Sequence, residues 1–168
     1  RKDALEAAAS AAGVELEFQE LDVADDDSVD RAFEEIHARH GRVDVLVGNA
    51  GIGNLGTLEE MSMDDLRWVM EVNFFGIART TRAVLPRMRE AGSGRLLAIT
   101  SLGGVMGQPF TDAYSASKHA VEGLYESMQP VLKRFGVHVS IVEPGPVGTR
   151  FHEKGVAGRP TAGAAREA

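Results

Sequence analysis

The period of the apolar positions changes repeatedly along the 168 residues. Arg1 to Ala12 is alanine-rich with Leu5 among small residues, and Ser28 to His40 carries Val29, Phe33 and Ile36 at helical intervals, so both stretches predict helices. Between them Val14, Leu16, Phe18 and Leu21 alternate with polar residues, which predicts a strand over Glu15 to Val23. Val43 to Val47 is a short β-branched run feeding Gly48-Asn49-Ala50-Gly51, the pattern of a buried strand that ends in a glycine-bearing turn. Ser62 with Asp65 three residues on resembles a capping pair. It opens an amphipathic stretch through Leu66, Val69, Met70, Phe74 and Ile77, predicted as a helix from Asp64 to about Leu85. Pro86 is expected to distort its last turns and Gly92-Ser93-Gly94 to end it. Arg95 to Thr100 then reads as a strand and Tyr114 to Phe135 as a second long helix with Pro130 inside it. Val137 to Val142 reads as a last strand, closed by Pro144-Gly145-Pro146.

Strand and helix in repetition give an α/β fold, a doubly wound parallel sheet of the Rossmann-like kind covered on both faces. Ligands of such sheets sit beyond the carboxyl ends of the strands. Asp22-Val23, Asn49-Ala50-Gly51, Ser101 and Pro144-Gly145-Pro146-Val147 all follow strands in this reading.

Composition narrows the function classes. Twenty-five acids against 18 bases leave a net charge of −7, which argues against sequence-independent binding to nucleic acid or anionic lipid. The absence of cysteine excludes a disulfide framework, a thiolate metal site and a cysteine nucleophile, and fits a cytoplasmic protein. His37, His40, His119, His138 and His152 form no ligand cluster, so no metal is expected. No apolar run approaches the ~18 to 20 residues of a membrane span, and no basic-then-apolar leader is visible, so the expectation is a soluble chain. Residues 1–154 read as one domain and residues 155–168 as a polar tail leading into a truncated substrate-loop region. With no initiator methionine, the whole reads as a piece of a longer protein.

Candidate chemistry begins with Tyr114 and Lys118, four apart near the start of a helix and so on one face. A free phenol titrates near ~10, and a neighbouring ammonium lowers it towards a useful general acid or base. Alone, the pair also fits an ordinary amphipathic helix edge. Ser101, just past a strand, can present its hydroxyl beside the tyrosine to a reacting alcohol or ketone oxygen, or it can be a turn serine before Gly103-Gly104. Asn73 lies where a helix disfavours asparagine, so it marks either a buried amide that holds a water linking Lys118 to solvent or a local kink.

Together, Asn49-Ala50-Gly51, Asn73, Ser101, Tyr114-Ser115-Ala116-Ser117-Lys118 and Pro144-Gly145-Pro146-Val147-Gly148-Thr149 resemble the short-chain dehydrogenase/reductase family in order and spacing, up to about Phe151. The resemblance implies that Tyr114 exchanges a proton with the substrate oxygen. Lys118 lowers the tyrosine pKa and bonds the nicotinamide ribose, Ser101 polarises the carbonyl, and Asn73 completes the relay. It implies that Asp22 and Val23 contact adenine, that Asn49, Ala50 and Gly51 approach the cofactor, and that Pro144, Gly145, Val147 and Thr149 hold the nicotinamide end. The cofactor so implied is NADP or NAD. Arg1 or Lys2 as a ribose-phosphate partner leans the reading slightly to NADP, and an exposed charge at a helix start accounts for either residue equally well.

The family's glycine-rich phosphate loop and first strand do not occur in this sequence, so the chain by itself is expected to bind dinucleotide poorly. Within the family, Ser101 to Pro146 is most similar to 17β-hydroxysteroid dehydrogenases and photoreceptor-type retinol dehydrogenases, through Gly104-Val105-Met106-Gly107, Phe110, Asp112 and Val142-Glu143-Pro144. That implies a bulky apolar alcohol or ketone. Leu102, Met106 and Phe110, with Val105, either wall a substrate pocket or belong to the core. Two other readings stand beside the enzyme: a non-catalytic dinucleotide-binding or scaffold protein, and an assembly module. The family commonly forms homodimers or homotetramers through its two long helices, here with Trp68, Phe75, Leu124 and Met128 on their outer faces.

Overall fold

The computed structural model describes residues 2–147. Helix α1 (Lys2–Ala12) precedes α2 (Asp26–His40), strand β1 (Val45–Gly48), α3 (Met63–Met70), a π-turn (Glu71–Phe75) and α4 (Gly76–Glu90). Strand β2 (Gly94–Ile99), a 3-10 turn (Leu102–Gly104), α5 (Asp112–Lys133) and β3 (Val137–Val142) complete the order. The fold is α/β, with a three-stranded parallel sheet in the order β1-β2-β3 and flanking helices.

Register puts one row of side chains under the helices. Leu46 pairs with Leu96 and Leu96 with Val139, while Ala98 stands between Gly48 and Ile141. Against that row pack Val29 and Phe33 of α2, Ile77, Val84 and Met88 of α4, and Val121, Tyr125 and Leu132 of α5. Both crossovers run in the same direction across the sheet, so right-handed connection places α4 and α5 on one face. Thr81 Oγ1 and Tyr125 Oη, 2.7 Å apart and buried, tie these two helices together. On the opposite face Val45 and Val47 of β1 are about half exposed.

Three expectations need correction. Glu15 to Val23 is not a strand: among the described residues no neighbouring backbone pairs with it, and a lone strand has no ladder to hold it. Its polar side chains turn to α2 instead, Gln19 donating to Glu35 at 3.0 Å and Arg39 donating to Gln19 at 2.7 Å. The helix expected from Asp64 to Leu85 is two helices separated by a π-turn. The second runs through Pro86 to Glu90, because residues beyond the proline still bond in register. Of the apolar residues assigned to the outer faces, Leu124 and Met128 pack against the core, and Phe75 alone among the four is a large exposed hydrophobic.

Candidate active site

The π-turn explains Asn73. One extra residue in the helical turn swings this side chain inward, where it is buried and held on three sides. Its Oδ1 accepts from Ile52 N at 2.8 Å, and its Nδ2 donates to Ile52 O at 3.0 Å and to Ser117 Oγ at 3.0 Å. Both amide hydrogens are therefore committed, and one lone pair of Oδ1 is left for a water. The kink and the buried amide, alternatives in the sequence, are one feature. Through Ile52 the asparagine fixes the end of the Asn49-Ala50-Gly51 turn. A Cβ built on Gly51 would stand 3.4 Å from Asn73 Oδ1 and 3.6 Å from Lys118 Nζ, so the glycine backbone passes close beside both side chains.

Ser101 ends the loop after β2 and caps the 3-10 turn, its Oγ accepting from Gly103 N at 3.1 Å and its hydroxyl hydrogen finding no acceptor among the described residues. The next residue, Leu102, donates its N–H to Pro144 O at 3.1 Å and so draws the loop after β3 over the same turn. Gly103 is the meeting point: a Cβ there would lie 3.5 Å from Ser101 Oγ, 3.5 Å from Tyr114 Cε1 and 3.4 Å from Ser115 Oγ. Serine and tyrosine thus converge around a residue with no side chain. The sequence reading named Gly103 and Ser117 without giving either a part in the site, although their places two residues after Ser101 and directly before Lys118 were the available signals.

Lys118 is buried, its Nζ donating to Ile99 O at 2.9 Å and lying 5.7 Å from the centroid of the Tyr114 ring. Burial pushes the ammonium down to about 8, with the charge of Glu122 acting in the opposite direction. A lysine so placed changes charge within a pH range that an enzyme uses.

Asp22 and Val23 lie in the turn before α2. Asp22 Oδ1 accepts from Ala24 N at 2.9 Å, and Asp25 caps the helix by accepting from Ser28 N at 2.9 Å. Two residues absent from the sequence reading hold this turn. Gly76 allows Val23 to approach α4 so closely that a Cβ would meet Val23 Cγ2 at 2.8 Å, and Arg79 Nη1 donates to Val23 O at 3.2 Å. Arg79 also pairs with Asp26 and Glu71, tying α2 to the π-turn that bears Asn73.

Asn49, Ala50, Gly145 and Val147 are exposed and Pro144 half-buried beyond the sheet's carboxyl edge, whereas Thr149 lies outside the described residues, as do Gly148, Arg1 and the tail. The bare backbone at Gly51, close to Lys118 Nζ, fits the ribose end of a dinucleotide. The sequence has no glycine-rich strand-to-helix turn, so these residues supply no pyrophosphate cradle.

Leu102, Met106 and Phe110 are exposed, not core. Phe110 adopts φ 64°, a left-handed backbone unusual for an aromatic residue. A segment missed in the sequence runs beside it: Gly56 N donates to Phe110 O at 2.7 Å and Leu58 N to Asp112 Oδ2 at 2.8 Å, with Leu55 and Leu58 exposed. Among the described residues, no group of three or more His, Asp or Glu side chains is placed to hold a metal ion, and no helix is long and apolar enough to cross a membrane.

A family model described as short chain dehydrogenase matches residues 1–159. The chain belongs to the short-chain dehydrogenase family. It is 52% identical over 139 residues to 17-beta-hydroxysteroid dehydrogenase type 1 from Homo sapiens, covering 83% of this chain and 42% of that protein. To Retinol dehydrogenase 8 from Homo sapiens it is 44% identical over 155 residues, covering 92% and 49%. The chain thus spans less than half the length of these curated relatives. Among solved structures it is similar to a short-chain dehydrogenase from Streptomyces avermitilis, with a TM-score of 0.84, 43% identity, and coverage of 92% of this chain and 57% of that one. A gluconate 5-dehydrogenase from Burkholderia cenocepacia, in complex with NADP and tartrate, gives a TM-score of 0.82 at 30% identity, covering 88% and 58%. In this chain Asn73, Ser101, Tyr114 and Lys118 lie about the segments that follow β1 and β2.

Proposed function

We propose that this chain carries the proton-handling part of an NADP-dependent oxidoreductase that interconverts a bulky apolar secondary alcohol and its ketone. The observation that carries the reading is the convergence of Ser101 and Tyr114 on the bare backbone of Gly103, with Lys118 buried one helical turn behind the tyrosine. The dinucleotide, when bound, supplies hydride chemistry. Ser101 donates its hydroxyl hydrogen to the substrate oxygen, and Tyr114 takes or returns the proton on that oxygen. Lys118 holds a positive charge beside the phenol and favours phenolate. Asn73 keeps the Asn49-Ala50-Gly51 turn against Lys118 and offers its remaining lone pair to a water for proton exchange.

The apolar substrate is supported by Leu102, Met106, Phe110, Leu55 and Leu58, all exposed at this edge, and by similarity to relatives named for hydroxysteroid and retinol. The NADP preference is supported by the NADP in the gluconate 5-dehydrogenase complex. A homodimer or homotetramer through the long helices, in the cytoplasm, completes the proposal; exposed Phe75 at the start of α4 and the lack of cysteine support these two parts.

The test is Tyr114→Phe in the full-length protein, assayed with NADP and NAD against steroid, retinoid and small alcohols. Loss of turnover by about a thousand-fold or more, with dinucleotide affinity retained by calorimetry, is the expected result. A full-length protein that binds dinucleotide but turns over none of these substrates would make the chain a non-catalytic dinucleotide-binding or scaffold protein.

A further inference from the structure

Glu122 is the buried charge that the proposed reaction does not use. It follows Lys118 by one helical turn on α5, and like Lys118 it is buried. Its Oε1 is shielded from solvent and has no hydrogen-bond partner among the described residues. A carboxylate in that condition is costly unless a nearby charge compensates it.

The turn that begins at Ser101 closes over both side chains. A Cβ on Gly104 would lie 3.1 Å from Glu122 Oε1, 3.2 Å from Glu122 Cγ and 3.2 Å from Lys118 Cβ. Any larger residue there would press on both side chains at less than ordinary van der Waals distance, so the glycine suits the close seat of the 3-10 turn on α5. The carboxylate therefore sits under the same short turn that presents the serine, on the same helix as the tyrosine and lysine.

We propose that Glu122 is a positioning residue for proton transfer, its buried carboxylate setting the charge balance of the Tyr114 and Lys118 pair from beneath Gly104. The inference rests on the dehydrogenase reading. A negative charge near the pair stabilises ammonium and disfavours phenolate. Burial lowers the lysine, and Glu122 is the charged side chain that acts against that effect.

The remaining ionisable groups on the packed elements are engaged elsewhere or face solvent. On the π-turn, Glu71 is paired with Arg79. On α3, Asp64 pairs with Arg67, and Asp65 accepts from Ser62 Oγ. His138 on β3 and Arg95 at the amino end of β2 are exposed, and the 3-10 turn has no ionisable side chain. On α5 itself, Asp112, His119 and Glu126 are exposed, and Tyr125 is hydrogen-bonded to Thr81.

The experiment compares the full-length protein with Glu122→Gln and Glu122→Asp by tyrosine titration, following phenolate absorbance, and by the pH dependence of turnover. The 168 residues hold two tyrosines, and burial pushes the phenol of Tyr125 up; Tyr114→Phe identifies the Tyr114 signal. Glu122→Gln is expected to move the Tyr114 midpoint and the pH profile together to lower pH by roughly one unit, with Glu122→Asp staying near the parent. Should the glutamine variant not fold, Glu122→Met removes the same charge without leaving a buried amide and carries the same expectation. A folded, neutral variant whose phenol midpoint and pH profile are unchanged overturns the proposal, even if its activity or stability falls. A parent without turnover removes the dehydrogenase reading, and the phenol titration still decides the role of Glu122.

Discussion

Asn73 Nδ2 donates to Ser117 Oγ at 3.0 Å across 44 residues of sequence, joining the π-turn to the helix that bears Tyr114 and Lys118. Ser117 in turn donates to Tyr114 O at 2.7 Å. The asparagine is thus a mechanical part of the site beside its proposed place in the relay: its amide holds the turn at Ile52 and steadies the tyrosine's helix through Ser117. Asn73→Ala leaves Ile52 N and O without their side-chain partner in a half-buried place. It is expected to lower stability by about 2 to 3 kcal/mol in urea unfolding and to reduce turnover together with dinucleotide affinity. An unchanged urea midpoint would remove the structural part of this account.

Lys118 makes stability depend on pH in a definite direction. Burial brings the folded lysine down to about 8 from the ordinary 10.5, so the folded state binds fewer protons than the unfolded state between those values. Unfolding free energy therefore rises as pH increases from about 8 to 10.5, and the burial penalty is fully present below 8. Lys118→Met should gain about 1 to 3 kcal/mol of stability at pH 7 while losing activity. Denaturant titrations at a series of pH values check this: the gap between variant and parent should close as pH climbs through that window.

Arg79 carries a different prediction, because it reaches the Asp22-Val23 turn, which the family resemblance assigns to adenine, and stands apart from the proposed relay. Its bonds to Val23 O, Asp26 and Glu71 hold the Asp22-Val23 turn against α4. Arg79→Met should raise KM for the dinucleotide on the order of ten-fold and leave kcat near the parent, since the loss falls on binding and not on proton transfer. Equal losses in both parameters would show that the turn's position matters to the chemistry as well.

These residues also mark what the sequence makes legible. The β-branched run at Val43 to Val47 and the stretch from Tyr114 to Phe135 are local patterns, and a strand and a helix stand there, although the strand expected to be buried has its valines half exposed. Glu15 to Val23 has a strand's alternation without a pairing partner among the described residues, a property no local window contains. The π-turn at Asn73 is a one-residue change in helical winding whose bonds run to Ile52 and Ser117, 21 and 44 positions away. Arg79 reaches Val23 across 56 positions. Tyr114 and Lys118 were readable because four residues on a helix fix their neighbourhood. Glu122 has the same spacing from Lys118, and its meaning emerges only with its burial and the bare backbone of Gly104 over it.

Phe110 joins strain to the apolar edge. Its φ of 64° costs on the order of 1 to 3 kcal/mol for an aromatic residue, and its carbonyl is held by Gly56 N while its ring stays exposed. A ring that contributes so little to the core gains nothing for folding from that conformation, and in the proposed reading it is placed to meet the apolar substrate. Phe110→Asn places a residue more tolerant of left-handed backbone at the same position. Thermal unfolding should show equal or higher stability. KM for a steroid- or retinoid-sized substrate should rise roughly ten- to hundred-fold, the loss expected from about 1.5 to 3 kcal/mol of apolar contact. Turnover of a small secondary alcohol should stay near the parent, because Ser101, Tyr114 and Lys118 keep their places. If small and bulky substrates lose activity equally, Phe110 supports the catalytic turn instead of reading the substrate, and the apolar edge loses its strongest argument.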